Sequence, residues 1–326
     1  MEDEAFAAVS KSPSPPTSLA EVRQQLDALY HKAEVATQNY DAAKEKVQKQ
    51  SRTITQLSQK TARTKRRLGD LTQQAGAAAR AQYRGGLLPS SLQFALSPYP
   101  ANALDAASST YQVENGIKKL IDTLSSTEQD LRERSQDAKQ QLQKLKKAES
   151  KAEDARHDVE KRIATARNWE SSLEVSTLQS LARQDQSASN KAKSEWDKSG
   201  GLDSASRNAS PASKKAVQFA LAQIGKPYVW GAQGPDSFDC SGLTSQAWAA
   251  AGHPIPRTSQ EQWRQLTRVS VAQMQPGDLI IYFSDASHVA MYIGDGTIVQ
   301  APRPGRTVSL GSASSMQILG VVRPDA

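Results

Sequence analysis

From Leu19 onward apolar residues return every seven positions, and that period restricts the first half of the chain to one kind of structure. Leu19, Leu26, Ala33, Tyr40, Val47, Ile54, Leu68 and Ala75 fill one seam position. Val22, Leu29, Ala36, Ala43, Leu57, Leu71 and Ala78 fill the other, with Gln50, Thr61 and Thr64 as interruptions. A heptad kept over this length is the pattern of a left-handed coiled coil. No proline lies between Pro16 and Pro89, so the helix is expected to run to about Tyr83, roughly 95 Å at the standard rise.

A second repeat runs through Ile117, Leu124, Leu131, Ala138, Leu145, Ala152, Val159, Ala166 and Leu173. Its companion seam is poorer, with Ile121, Leu142 and Ile163 beside Glu128, Glu149 and Arg156. Neither glycine nor proline occurs from Ile117 to Lys198, which predicts a second long helix antiparallel to the first. Alanine buries far less apolar area than leucine, so the seam is expected to be weak and able to open or exchange partners.

The boundaries follow from composition. Residues 1–16 read as a disordered tail, 17–184 as the helical hairpin with its tip at 84–102, and 185–210 as a flexible Ser/Asn/Gly/Lys linker. At the tip, Leu87, Leu88, Leu92, Phe94 and Leu96 form an apolar cluster suited to a local cap or to docking a partner. Residues 211–326 carry most of the glycines and a higher share of aromatics, the composition of a compact globular domain.

The chain has 41 Lys/Arg against 34 Asp/Glu, a net charge of +7. The bases are interleaved with acids along the helices, which describes solvated faces, and no nucleic-acid motif appears, so nucleic acid is not expected as a partner. A mild basic excess suits an anionic surface, whether a cell-wall polymer, a lipid headgroup layer or nucleic acid, and by itself selects none of them. No apolar run approaches the ~18 residues of a membrane span, and no signal-peptide core follows Met1. The chain is expected to be soluble; if it is exported, the signal was removed before residue 1.

Cys240 is the only cysteine, which leaves an inert side chain, an intermolecular link or a nucleophile. Ser210-Pro211 is a helix start, and Asp239 is placed to cap a second helix whose first turn contains Cys240. There the free amide N–H groups and the helix dipole favour thiolate. Of the four histidines, His31 and His157 read as solvated helix-surface residues and His253 as a loop residue. His288 opens a strand, a "GDG" turn and a returning strand, at a sheet edge facing any packed helix. Gln300 on the return could accept from the imidazole and hold its tautomer. Asp278 reads as a turn former, and Trp230, Trp248 and Trp263 as core or groove wall.

"YVWGAQGPDSFDCSGL", "PRTSQEQ", "PGDLIIYF" and "HVAMYIGDG", in that order, resemble the NlpC-type cell-wall cysteine peptidases. The resemblance covers about residues 211–326 and implies an α+β papain-like domain with an antiparallel sheet. It implies Cys240 as nucleophile, His288 as base, Gln300 as orienting residue and Tyr228 beside the oxyanion. Asp239 and Ser241 match groove-lining positions. Arg257 is a candidate for a substrate carboxylate, since guanidinium forks suit that geometry. Many members carry His or Glu where Gln300 stands, so here the third residue adds no charge. The implied substrate is a peptidoglycan stem peptide cut next to D-glutamate, and no metal or cofactor is implied.

A coiled-coil hairpin before such a domain is similar to secreted Gram-positive division hydrolases. That likeness implies a coiled coil that holds the enzyme off until a membrane division complex of the FtsEX type engages it. The weak seam and the linker lead to the further expectation that the coiled coil folds over the Cys240 groove, directly or from a neighbouring molecule; a homodimer is left open. The rival readings are a scaffold or activator whose tail domain only binds wall peptide, and an amidase or acyltransferase on the same fold.

Overall fold

A computed structural model of the chain describes residues 18–85, 100–200 and 209–326. The anticipated tail at 1–16 and the apolar tip cluster at 87–96 lie outside the described residues. The chain divides into two compact units: one holds the residues up to Glu45 together with Ser150–Ala326, the other Lys46–Glu149. No helix among the described residues is long and apolar enough to cross a membrane.

Helix α1, Leu19–Gly85, begins at a capping box. Ser18 Oγ accepts from the Glu21 amide and a Glu21 carboxylate oxygen accepts from the Ser18 amide, both at 3.2 Å. Helix α2, Pro100–Ser171, runs antiparallel to it. Within Lys46–Glu149, the Gln50 amide donates to the Gln141 carbonyl and side chain at 3.1 and 2.7 Å, and Thr64 donates to Asp130 at 3.3 Å. In the other unit Ala33 and Ala36 pack with Val159 and Ile163, and Tyr30 donates to Glu170 at 2.6 Å.

Two expectations for this half are corrected. Of the expected companion seam of α2, Ile163 is buried as anticipated, but Ile121 and Leu142 are 55% and 46% exposed, and over their stretch the seam contains Leu120, Thr127, Gln141 and Ala148, three residues on from the first seam. Thr127 and Ala148 are its buried members. The second helix also breaks at 172–174 with no glycine or proline present. Ser171 and Ser172 hydroxyls donate to the carbonyls of Asn168 and Trp169, giving the backbone a local alternative to the helix ladder.

A third helix, α3, spans Val175–Lys198. The segment read as linker from 185 is therefore helical to Lys198, and residues 201–208 lie outside the described residues. The reason is an apolar stripe hidden in polar composition. Ala192 is buried in the globular core, Trp196 packs against that core, and the Trp196 indole donates to the Ile293 carbonyl at 3.2 Å.

The globular part opens with α4, Pro211–Leu221, capped by Ser210 with Pro211 in its first turn. Val217 and Ala220 form its buried face, while Ile224 lies beyond the helix and is exposed. Helices α5, Cys240–Ala250, and α6, Ser259–Gln265, follow. Six strands complete it: β1 Thr267–Val269, β2 Leu279–Tyr282, β3 His288–Gly294, β4 Thr297–Gln300, β5 Ser309–Ser312 and β6 Ile318–Arg323. They form one antiparallel sheet in the order β1-β6-β2-β3-β4-β5. The β2 and β3 side chains are almost wholly buried, consistent with a sheet covered on both faces. The main core joins Val217 and Ala220 of α4, Leu243, Ala247 and Trp248 of α5, and inward residues of β2, β3 and β4. Trp248 is fully buried, with its indole donating to the Gly277 carbonyl at 3.2 Å.

Candidate active site

Asp239 caps α5 as its sequence setting requires. Its Oδ1 accepts from the Gly242 amide at 2.7 Å, which places Cys240 in the first turn. Gly242 is needed there because a Cβ would lie 2.1 Å from the Ala232 carbonyl oxygen. His288 is the first residue of β3, so the β-hairpin delivers its ring to the end of the sheet beside α5. The expectation of a sheet edge is corrected: β3 is an interior strand, and His288 stands at its end.

Gln300, the last residue of β4, meets His288 Nε2 through its Oε1 at 2.8 Å. An amide oxygen accepts only, so Nε2 carries the proton and Nδ1 is left unprotonated. Donor atoms of His288, Cys240 and Glu34 all lie within 4.8 Å of one another. Tyr228 comes to the same place from the loop before α5, buried to 5% exposure. The structure thus brings together Cys240, His288, Gln300 and Tyr228.

The other three sequence candidates lie beside the thiol and bind one another. Arg257 donates to both Asp239 carboxylate oxygens, at 3.0 and 2.5 Å, and to Ser241 Oγ at 2.8 Å. The guanidinium expected to meet a substrate carboxylate is therefore engaged with an internal one.

What the sequence reading missed is a polar stripe on α1. Glu34, Gln38 and Asp41 are buried against the globular domain, away from the heptad seam. The Cys240 thiol donates to Glu34 Oε1 at 2.9 Å and the Tyr228 hydroxyl to Glu34 Oε2 at 2.6 Å. Gln38 Nε2 donates to Glu34 Oε1 at 3.2 Å and reaches Cys240 Sγ at 3.5 Å. Gln38 Oε1 accepts from the Ser259 amide, Ser259 Oγ and Ser241 Oγ at 2.9, 3.0 and 3.2 Å. Asp41 Oδ2 is 3.1 Å from the Arg257 guanidinium, at an angle that leaves it without a hydrogen bond. Farther along, Tyr40 meets Trp230 edge-on with ring centroids 5.0 Å apart.

His31 is also corrected from a solvated residue. Its ring centroid lies 4.3 Å from that of Phe283, and its Nε2 is 2.9 Å from Ser287 Oγ. The signal for this stripe was compositional: residues 33–43, "AEVATQNYDAA", hold no lysine or arginine in a helix otherwise dense with them.

Burial sets the protonation of the site. It raises Cys240 well above the usual thiol range, aided by the nearby Glu34 and Asp239 carboxylates. The thiolate favoured at an open helix start is therefore not the form held here. Burial raises Glu34 to about 7 against its hydrogen bonds from Cys240 and Tyr228, and lowers His288 to about 4. Asp41 rises to about 9 through burial and the Asp239 charge.

A sulfur at a helix start, an imidazole beside it and an amide orienting that imidazole are the parts of nucleophile–base chemistry, here with a carboxyl set on the sulfur. Residues 225–319 match the NlpC/P60 family. Over 125 residues the chain is 42% identical to a "Probable endopeptidase" of Corynebacterium glutamicum, covering 37% of this chain and 60% of that one. Over 91 residues it is 44% identical to "Probable endopeptidase p60" of Listeria monocytogenes, covering 27% of this chain and 19% of that one. The solved NlpC/p60 domain of the peptidoglycan hydrolase SagA is 35% identical, over 34% of this chain and 97% of that one, with a TM-score of 0.32. The chain thus spans from about a fifth to three-fifths of the length of these two curated relatives. The NlpC/P60 match thus lies within the C-terminal globular domain, over residues 225–319.

Proposed function

We propose that this chain is a secreted, wall-associated peptidoglycan endopeptidase that cuts stem peptides between D-glutamate and the following diamino acid. Cys240 Sγ attacks the amide carbonyl carbon. His288 Nδ1 takes the thiol proton and passes it to the leaving amine, while Gln300 keeps the ring turned. Tyr228 donates to the oxyanion, and water then hydrolyses the thioester. Asp239, Ser241 and Arg257 shape the groove floor on which the peptide lies.

The observation that carries this reading is the convergence of Cys240, His288, Gln300 and Tyr228 in a domain of this family. In the same reading α1 holds the enzyme off, because Glu34 and Gln38 stand where the scissile amide must enter. Release falls to a membrane partner of the FtsEX type engaging the hairpin.

The test compares full-length wild type, Glu34→Ala/Gln38→Ala and Cys240→Ala on purified muropeptides, with products identified by mass. The double variant should cleave at least about tenfold faster than wild type, a shift of about 1.4 kcal/mol, and Cys240→Ala should not cleave. A double variant no faster than Cys240→Ala would remove the peptidase assignment. Retained peptide binding in that event would favour the scaffold reading.

A further inference from the structure

We propose that Glu34, Cys240 and His288 form a zinc site that exists only while α1 covers the peptidase groove, so that the ion ties the helix to the catalytic pair. The three ligands come from three elements: Glu34 from α1, Cys240 from α5 and His288 from β3. Their donor atoms lie within 4.8 Å of one another and all three residues are buried. One ion with Zn–S at about 2.3 Å and Zn–N and Zn–O at about 2.0–2.2 Å spans donors of that separation after small side-chain shifts. The 2.9 Å thiol–carboxylate contact opens slightly as the shared proton leaves and the ion enters.

The donor chemistry selects the metal. Thiolate, imidazole and carboxylate together suit zinc, whereas magnesium and calcium take oxygen ligands. Three protein ligands leave a fourth position for water.

Each ligand already has an outer partner of the kind that zinc sites use. Gln300 Oε1 accepts from His288 Nε2, which leaves Nδ1 to bind the ion. Tyr228 donates to the Glu34 oxygen that faces away from the sulfur. Gln38 Nε2 lies against both Cys240 Sγ and Glu34 Oε1.

Charge supplies the driving force. Cys240 and Glu34 are buried in contact with each other, two groups that each carry a negative charge once ionised. Zinc displaces the thiol proton and any proton on Glu34 to solvent. It leaves one dication with one thiolate and one carboxylate, a neutral group that burial does not penalise as it does a lone charge.

Elsewhere, His157 lies 3.1 Å from Glu153 and 3.6 Å from Glu160, an exposed pair of contacts with no thiol. It is the natural control.

The test uses the reduced full-length chain and readouts that need no substrate, so its outcome is independent of the peptidase reading. Titration with Co2+ should give one equivalent with thiolate-to-cobalt charge-transfer absorption, displaced by Zn2+. That absorption should vanish in Cys240→Ser and persist in His157→Ala. Glu34→Gln, which keeps the side-chain volume, should bind Zn2+ at least about tenfold more weakly. In wild type, Zn2+ should slow amide hydrogen exchange across residues 30–41. Equal zinc affinity in wild type and Glu34→Gln, absence of the thiolate band, or zinc-accelerated exchange over 30–41 would each overturn the proposal.

Discussion

The imidazole of His288 owes its orientation to an uncharged partner, and that choice has a measurable consequence. Gln300 fixes the tautomer through one 2.8 Å contact but adds no negative charge to favour imidazolium. In the Glu34→Ala/Gln38→Ala background, Gln300→Glu should raise the His288 pKa, because a carboxylate within hydrogen-bond reach stabilises the protonated ring. The acid limb of the kcat/KM profile should move to higher pH by about one unit. An unmoved limb would show that residue 300 does not govern the base. At this scale the sequence was informative wherever function is local: the cap at Asp239, the thiol beside it and the His288–Gln300 hairpin follow from spacing alone. Glu34 was invisible, since its partners lie about 200 residues away and a heptad pattern labels it solvated.

Helices α1 and α3 show why polar composition misled at the scale of elements. Each has two faces to bury, one against another helix and one against the globular domain, and the second face is hidden in polar composition: hydrogen-bonding side chains on α1, Ala192 and Trp196 on α3. Trp196 is the clearest case. It lies in a segment rich in Ser, Lys and Asn, yet it packs on the core and donates to Ile293. Trp196→Ala should destabilise the chain by about 3 kcal/mol, read from denaturant unfolding of the full-length protein, because both apolar area and a hydrogen bond are lost. A loss below about 0.5 kcal/mol would return this segment to the status of a linker. The heptad period itself was a sound guide to helix direction. It was a poor guide to the α2 companion seam, where three- and four-residue steps both supplied apolar residues and packing selected Leu120 and Thr127 over Ile121.

Across the molecule, the cover over Cys240 is held by groups whose protonation differs between covered and open states. Glu34 faces Cys240, Tyr228, Gln38 and Asp239, and its pKa is raised from 4.5 to about 7. Asp41 faces Arg257 and Asp239 and is raised from 3.8 to about 9. A raised carboxyl stabilises the covered state when protonated and loses that contribution as pH climbs through its covered-state value. His288, which faces Gln300 with His31 nearby, works in the opposite sense: its pKa falls from 6.5 to about 4, so it favours covering as pH rises through that interval. Above about 6.5 the ring is neutral in both states and only the carboxyls, and at higher pH the Cys240 thiol, remain to titrate. The cover should therefore loosen steadily from about pH 6.5 to 9, seen as rising hydrogen exchange over residues 30–41 after correction for intrinsic rates. A flat profile in that range would contradict it. Because Glu34 and Cys240 belong to one polypeptide, the local concentration of the covering segment is set by chain connectivity, independent of how much protein is present. Diluting a sample cannot shift the ratio of covered to uncovered molecules, as it would for a dissociable inhibitor, so the ratio answers to a force, a ligand or a proton acting on the chain itself.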